Sequence, residues 1–299
     1  MDSLNELRTL ISHHAGKDAV TQAANGIRVA SFDGPTELAH CVLEPLLAVV
    51  AQGAKRTQLC DKVFEYGAGQ YAVVSVDLPI SGYISQASPE FPFLSTAITL
   101  NPASIATLLL ETTAGELPAT KLSGLGVSNA PAELLEAVVR LLRLLDRPRD
   151  AAALAPLVER EILWWLLNGE QGTAVRQIGL ADSRLSQISR AIRWIRLHYA
   201  KPVRVEELAD MVAMSPSTFH RHFRAVTALS PLQYQKLIRL QEARARLMTD
   251  SADIAEIGFS VGYDSPSQFS REYSRLFGAP PGRDVTRLRA GSQTVPVLV

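Results

Sequence analysis

Two stretches of this 299-residue chain carry hydrogen-bond donors and cations at matching positions. The first, Val205 to Phe223, holds Ser217, Thr218, His220 and Arg221, with Arg224 just beyond it. The second, Ile254 to Tyr273, holds Ser267, Gln268, Ser270 and Arg271, with Arg275 just beyond. Hydroxyl, amide, imidazole and guanidinium groups are the side chains that read base edges and grip phosphate oxygens. Each set is interleaved with an aromatic pair, Phe219/Phe223 or Phe269/Tyr273, spaced to anchor the opposite face of a helix. A single arginine on a helix is as readily a solvated face, but two superimposable copies with arginine at the same place argue against that.

Those side chains need elements to present them, and the two stretches align as an internal repeat. Val205 matches Ile254, Leu208 matches Ile257, Ala209 matches Gly258, Val212 matches Val261 and Ala213 matches Gly262. After one inserted residue, Asp264, Ser215-Pro216-Ser217 matches Ser265-Pro266-Ser267, and Arg221 matches Arg271. Ala209 and Gly258 are small enough for two helices to cross closely, Ala213 and Gly262 suit a tight turn, and Ser followed by Pro caps and opens the next helix. Each copy thus meets the requirements of a helix-turn-helix. Between the copies, Ser230-Pro231-Leu232-Gln233 is a further cap. It opens a helix to about Met248 with Leu237, Leu240 and Leu247 on the buried side, which would hold the two copies at a fixed distance. Ahead of them, Ser186–Tyr199 turns Ile188, Ile192 and Ile195 inward and Arg190, Arg193 and Arg196 outward.

At these residues the sequence resembles the AraC/XylS family of bacterial transcription regulators. The second copy carries the matching motif: Ile254-Ala255, Gly262-Tyr263, Ser265, Phe269, Arg271, Tyr273, Phe277-Gly278 and Pro281. It departs from the family at Asp284-Val285, where an aromatic–Arg pair is usual. The segments His40-Cys41-Val42-Leu43-Glu44-Pro45 and Val50-Ala51-Gln52-Gly53-Ala54-Lys55 are similar to the cupin-type sensor of one AraC subfamily. The resemblance implies a double helix-turn-helix DNA-binding domain over 184–290 and a small-molecule effector domain ahead of it.

Composition agrees. The formal net charge of zero conceals 13 Lys and Arg against 19 Asp and Glu in residues 1–181, and 17 against 11 in residues 182–299. A basic second half suits an anionic partner. In the first half, helical spacing over Ser3–Ala15 gives way to β-type runs at Cys41–Ala51, Val63–Tyr66, Tyr71–Val76, Ile80–Gln86 and Phe93–Leu100. Helices follow from Ile105 to Thr112, from Pro131 to Leu145 with Leu134, Val138, Leu141 and Leu145 in one stripe, and from Leu154 to Asn168. Such a stripe is usually intramolecular core; its other use is a dimer seam.

The expected fold is therefore α+β: an N-terminal small, cupin-like β-barrel with flanking helices, then an all-α domain of two helix-turn-helix units joined by a long helix. The expected divisions are 1–170 for effector sensing and dimerisation, 171–183 as linker, 184–290 for DNA, and 291–299 as tail. Double-stranded DNA, a small-molecule effector, RNA polymerase and a second copy through the 131–168 helices are the expected partners.

Other chemistry fares worse. A metal-binding barrel needs clustered His with a carboxylate, whereas His40 stands alone and His13-His14 lie in the first helix, so neither metal nor cofactor is expected. No Gly-x-Ser-x-Gly elbow or Gly-rich phosphate loop follows a strand. His40, Cys41, Tyr66, Tyr71 and Tyr83 are the candidates for lining an effector cavity. Cys41 and Cys60 form no Cys-x-x-Cys pair, which suits a reducing compartment, and either could be a reactive thiol or inert core. The acidic N-terminus lacks the basic head and apolar run of a signal peptide, so a cytoplasmic regulator, nucleoid-associated when bound, is expected rather than an enzyme. The rival is a metabolite-converting barrel with secondary DNA binding.

Overall fold

The computed structural model describes residues 2–111, 123–249 and 253–290. It begins with helix α1 (Ser3–His14), capped by Asp2, whose side chain accepts from the Leu4 amide. Nine strands follow: β1 (Ala19–Ala24), β2 (Ile27–Phe32), β3 (Ala39–Leu43), β4 (Leu46–Gln52), β5 (Ala54–Leu59), β6 (Lys62–Gly67), β7 (Gln70–Val74), β8 (Leu78–Gln86) and β9 (Phe93–Thr99). After α2 (Pro102–Glu111), β10 (Leu125–Asn129) returns to the sheet domain. The expected helix end at Thr112 lies outside the described residues.

The strands make two antiparallel sheets, one in the order β1-β2-β9-β4-β7-β10 and one in the order β3-β8-β5-β6. β4 reads Leu-Leu-Ala-Val-Val-Ala-Gln and is buried along nearly its whole length. A strand so continuously apolar must be covered on both faces. α1 lies over one side through Leu7 and Ile11, both fully buried, in a core shared with both sheets. The single strand expected over Cys41–Ala51 is instead two, because Glu44-Pro45 carries the chain from one sheet to the other and Pro45 has no N–H for a ladder. The strand expected from Ile80 begins at Leu78, with Pro79 inside it opposite Val42.

Helices α3 (Ala132–Arg143), a 3-10 turn (Leu144–Asp146) and α4 (Pro148–Asn168) come next. Leu134, Val138 and Leu141 are buried, so their stripe is intramolecular core. The segment 171–183, expected as a linker, is largely helix α5 (Gly172–Gly179), with Val175 and Ile178 buried. The all-α half comprises α6 (Arg184–Leu197), α7 (Val205–Met211), α8 (Pro216–Thr227), α9 (Pro231–Thr249), α10 (Ile254–Ser260), α11 (Pro266–Phe277) and α12 (Pro281–Ala290). Leu240 and Leu247 of α9 are buried as expected, but Leu237 is only half-buried, and Tyr234, Ile238 and Ala243 complete the inner face.

One apolar core runs from the sheets through α3–α6 and into α7, α8 and the first half of α9. A second, smaller core joins the rest of α9 to α10 and α11. Polar bonds cross between the halves: the Tyr234 hydroxyl donates to the Asp77 carbonyl at 2.9 Å, and the Gly124 amide to the Val226 carbonyl at 2.9 Å. Arg196, expected to face outward, instead reaches Asp77 at 2.7 Å and Glu44 at 3.5 Å.

Asp284, the departure from the family motif, is fully buried. Arg244 donates to it at 2.8 and 3.2 Å, the Tyr273 hydroxyl at 2.9 Å and Arg287 at 3.0 Å. Burial opposes its charge, but these donors, Arg244 foremost, outweigh burial and hold the carboxyl below its ordinary range. Asp284→Asn would leave Arg244 without its buried counter-charge and should cost about 3 kcal/mol in denaturant unfolding near neutral pH. Since the folded pKa is depressed, this contribution is complete above the unfolded value of about 3.9 and is lost below it. The gap between the two proteins should hold from about pH 7 to 5 and close below about pH 4.

Candidate nucleic-acid interface

Both units have the turn geometry their small residues suggested. Ala213 adopts φ +54° and Gly262 φ +96°, the left-handed conformation that redirects the chain between helices. Gly262 has a second reason to be glycine, because a Cβ there would meet the Ala200 carbonyl oxygen at 2.3 Å. At the α10–α11 crossing a Cβ on Gly258 would meet the Phe269 ring at 3.0 Å, so the two helices approach closely there.

The second helices begin as the Ser-Pro pairs predict. Ser215 Oγ accepts from the Thr218 amide at 3.4 Å and Ser265 Oγ from the Gln268 amide at 3.4 Å. Phe219, Phe223, Phe269 and Tyr273 are fully buried. The face opposite them is thereby turned to solvent: Ser217, His220, Arg221, Arg224, Ser267, Gln268, Arg271 and Arg275 are all exposed. Two of the ten expected contacts are less free. Thr218 is half-buried and its hydroxyl accepts from Ser215, and Ser270 is half-buried with its carbonyl taken by the Ser274 hydroxyl.

Among the described residues, Arg221, Arg224, Arg271 and Arg275 make no ion pair. Glu207, the acid that could have engaged Arg221, pairs with Arg204 at 3.4 Å instead. Gln268 lies 3.5 Å from Glu272, which also accepts from Lys236 at 2.8 Å and Tyr263 at 2.9 Å. Lys236 is a cation beside the second unit that the repeat could not reveal, since it lies on the connecting helix. Arg190 and Arg193 of α6 are exposed as expected.

The five candidate effector residues do not converge. Tyr66 is buried in β6 with Lys55 over its ring at 5.7 Å, while Tyr71 is buried on β7 in the other sheet, beside Ser128. Tyr83 is half-buried on β8, and Cys41 is buried with its carbonyl accepting from Gln241 at 3.3 Å. Cys60 is half-buried in the turn between β5 and β6 with its thiol pushed up by burial, which disfavours the reactive thiolate. His40 stacks edge-on against Phe277 of α11 at 5.2 Å, so it belongs to the junction between halves.

A sheet domain thus precedes two helix-turn-helix units of matching sequence. Residues 23–174 match the model for the AraC-type transcriptional regulator N-terminus, and residues 208–287 match a helix-turn-helix domain model. The chain belongs to the AraC-type transcriptional regulators. It is 30% identical over 167 residues to the HTH-type transcriptional activator RhaS of Escherichia fergusonii, covering 51% of this chain and 56% of that protein. It is 28% identical over 152 residues to the HTH-type transcriptional regulator ArgR of Pseudomonas aeruginosa, covering 51% and 46%. The chain thus spans about half the length of the curated relatives it matches. Its fold is that of apo ToxT from Vibrio cholerae, with a TM-score of 0.56 at 9% identity over 88% of this chain and 98% of that one. No helix among the described residues is long and apolar enough to cross a membrane.

Burial, then the Arg244 cation, lowers the His40 pKa to about 4, with Asp284 opposing. The folded chain therefore prefers the neutral ring, against an ordinary value near 6.5. Its contribution to docking is complete above about pH 6.5 and is lost as pH falls toward 4. Thermal melts across that range should show wild type losing stability relative to His40→Phe; parallel curves would remove His40 from the junction's energetics.

Proposed function

We propose that this protein is a ligand-responsive transcription regulator in which residues 184–290 read duplex DNA and residues 1–170 sense a small molecule. The observation that carries the first part is the pair of exposed donor-and-guanidinium faces on α8 and α11, held on one helix by buried aromatics. Two such helices on one rod suit successive major-groove segments on one face of DNA, about 34 Å apart. Support for the second part comes from the family matched by residues 23–174, and from one ToxT structure of the same fold that holds an unsaturated fatty acid. Tyr66, Cys41, Tyr71 and Tyr83 are kept as candidate effector contacts within the sheet domain, and His40 is assigned to the junction. Localisation in the cytoplasm, recruitment of RNA polymerase and the boundaries of the parts belong to the same proposal.

Within the reading faces, His220 and Arg221 sit one turn into α8 and are assigned to base edges, while Arg275, further along α11, is assigned to phosphate. Sites selected from randomised duplexes by the full chain supply the test. Arg221→Ala should cost about 1–3 kcal/mol and relax preference at one base pair, whereas Arg275→Ala should weaken all sequences alike and lower the salt slope by about one. Unchanged affinity on every duplex for Arg221→Ala, with the fold intact, would end the recognition role.

Homodimerisation belongs to this reading too, but through a different face from the stripe on α3. The outer side of α4 exposes Leu154, Leu157 and Trp164, at 45%, 62% and 42%. Sedimentation should show a dimer for the full chain and a monomer for Leu157→Glu; a wild-type monomer at all concentrations would overturn it.

A further inference from the structure

The last turn of α1 and the 3-10 turn after α3 bring together three groups that the function above does not use. His13 Nε2 lies 3.6 Å and His14 Nε2 3.5 Å from the same oxygen, Oδ1 of Asp146. The three donor atoms all fall within 4.8 Å of one another. Adjacent residues on a helix ordinarily point about 100° apart and do not share a partner. Here both do, because the rings cross edge-to-face at 4.8 Å at the helix end, where the chain leaves for β1. His14 Nε2 is buried and makes no hydrogen bond among the described residues, its distance to Asp146 being long for one.

We propose that His13, His14 and Asp146 form a site for a divalent transition-metal ion of the zinc type. Two imidazoles and one carboxylate are the donor chemistry of zinc, cobalt and nickel. Bonds of 2.0–2.1 Å in a tetrahedral arrangement place donors about 3.4 Å apart, close to the two distances to Asp146. A metal ion also satisfies the buried His14 nitrogen. The site lies at the C-terminal end of α1, where the helix carbonyls favour positive charge. His13 and Asp146 are 69% and 50% exposed at the side chain, which leaves the remaining coordination position to water. A bound ion would pin α1, the cover of the six-stranded sheet, to the joint between α3 and α4. That joint is already tied to α1 by the Glu6–Arg143 pair at 2.5 and 2.7 Å.

The test is titration of the metal-free full chain with Co2+, whose visible spectrum reports coordination number, followed by displacement with Zn2+. One equivalent should bind with the intense bands of a four-coordinate ion, and Zn2+ should displace it and raise the thermal midpoint. His13→Gln, His14→Gln and Asp146→Asn should each weaken binding at least tenfold, while Asp150→Asn, a neighbouring carboxylate, should not. His13 is exposed enough that its substitution cannot be confused with misfolding, and matching metal-free melting curves check the other two. Weak pale six-coordinate binding that all variants share would mean an adventitious cation on surface imidazoles and would overturn the site, as would no binding at one equivalent.

Discussion

The arrangement of the two reading heads depends on one side chain of the connecting helix. Arg239 donates to the carbonyls of Tyr199 at 2.7 Å, Gly262 at 2.8 Å, and Ala200 and Lys201 at 3.2 Å each. Those carbonyls belong to the loop that leads into the first head and to the turn of the second. A guanidinium can do this because its fork of donors is planar and permanently charged. Gln235, one turn earlier, adds bonds to Tyr199 and Lys201 at 2.8 and 2.5 Å. With Gly262 pressed against Ala200, the turn of one head and the entry of the other form one joint, and α9 acts as a strut rather than a tether.

That joint matters because the cores on either side are unequal. The first head shares its hydrophobic core with the sheet domain, Phe223 meeting Tyr234 edge-on at 5.7 Å and Tyr234 reaching back to Asp77. The second has its own core, closed beneath by the Asp284–Arg244 pair and touching the sheet domain through His40 against Phe277 and the exposed Arg287–Glu37 pair at 3.4 Å. The sheet domain is therefore joined to the first head by packed side chains. It is joined to the second by α9, one ring contact and an exposed ion pair, which are easier to break.

The helix-turn-helix half was legible because its constraints are local: a cap, a small residue at a crossing, a turn and an aromatic pair, each written twice. Arg221 and Arg271 could be placed on exposed faces from spacing alone. In the sheet half, β6 to β9 lie where the runs Val63–Tyr66, Tyr71–Val76, Ile80–Gln86 and Phe93–Leu100 put them, and most of β4 lies within the run Cys41–Ala51. β5, Ala-Lys-Arg-Thr-Gln-Leu, carries two adjacent cations, of which Lys55 is buried, and has only Thr57 as a β-branched residue, while β10 pairs with β7 across a long stretch of chain, so neither had a local signal. The junction was illegible for the same reason. Nothing near Arg196 announces Asp77, and nothing near Asp284 announces Arg244, because those pairings exist only once the halves have packed.

The charge split between the halves also shapes their junction. Asp77 and Glu44 take Arg196, and Glu37 takes Arg287, so acids of the first half hold basic residues of the second on the side where the halves meet. The arginines on α8 and α11 have no such partners among the described residues. Docking thus neutralises the inner cations and leaves the outer ones to an anionic ligand, which turns a chain of zero net charge into one with a directed positive face. A phosphate backbone arriving at that face meets guanidinium groups that need give up no protein ion pair to receive it.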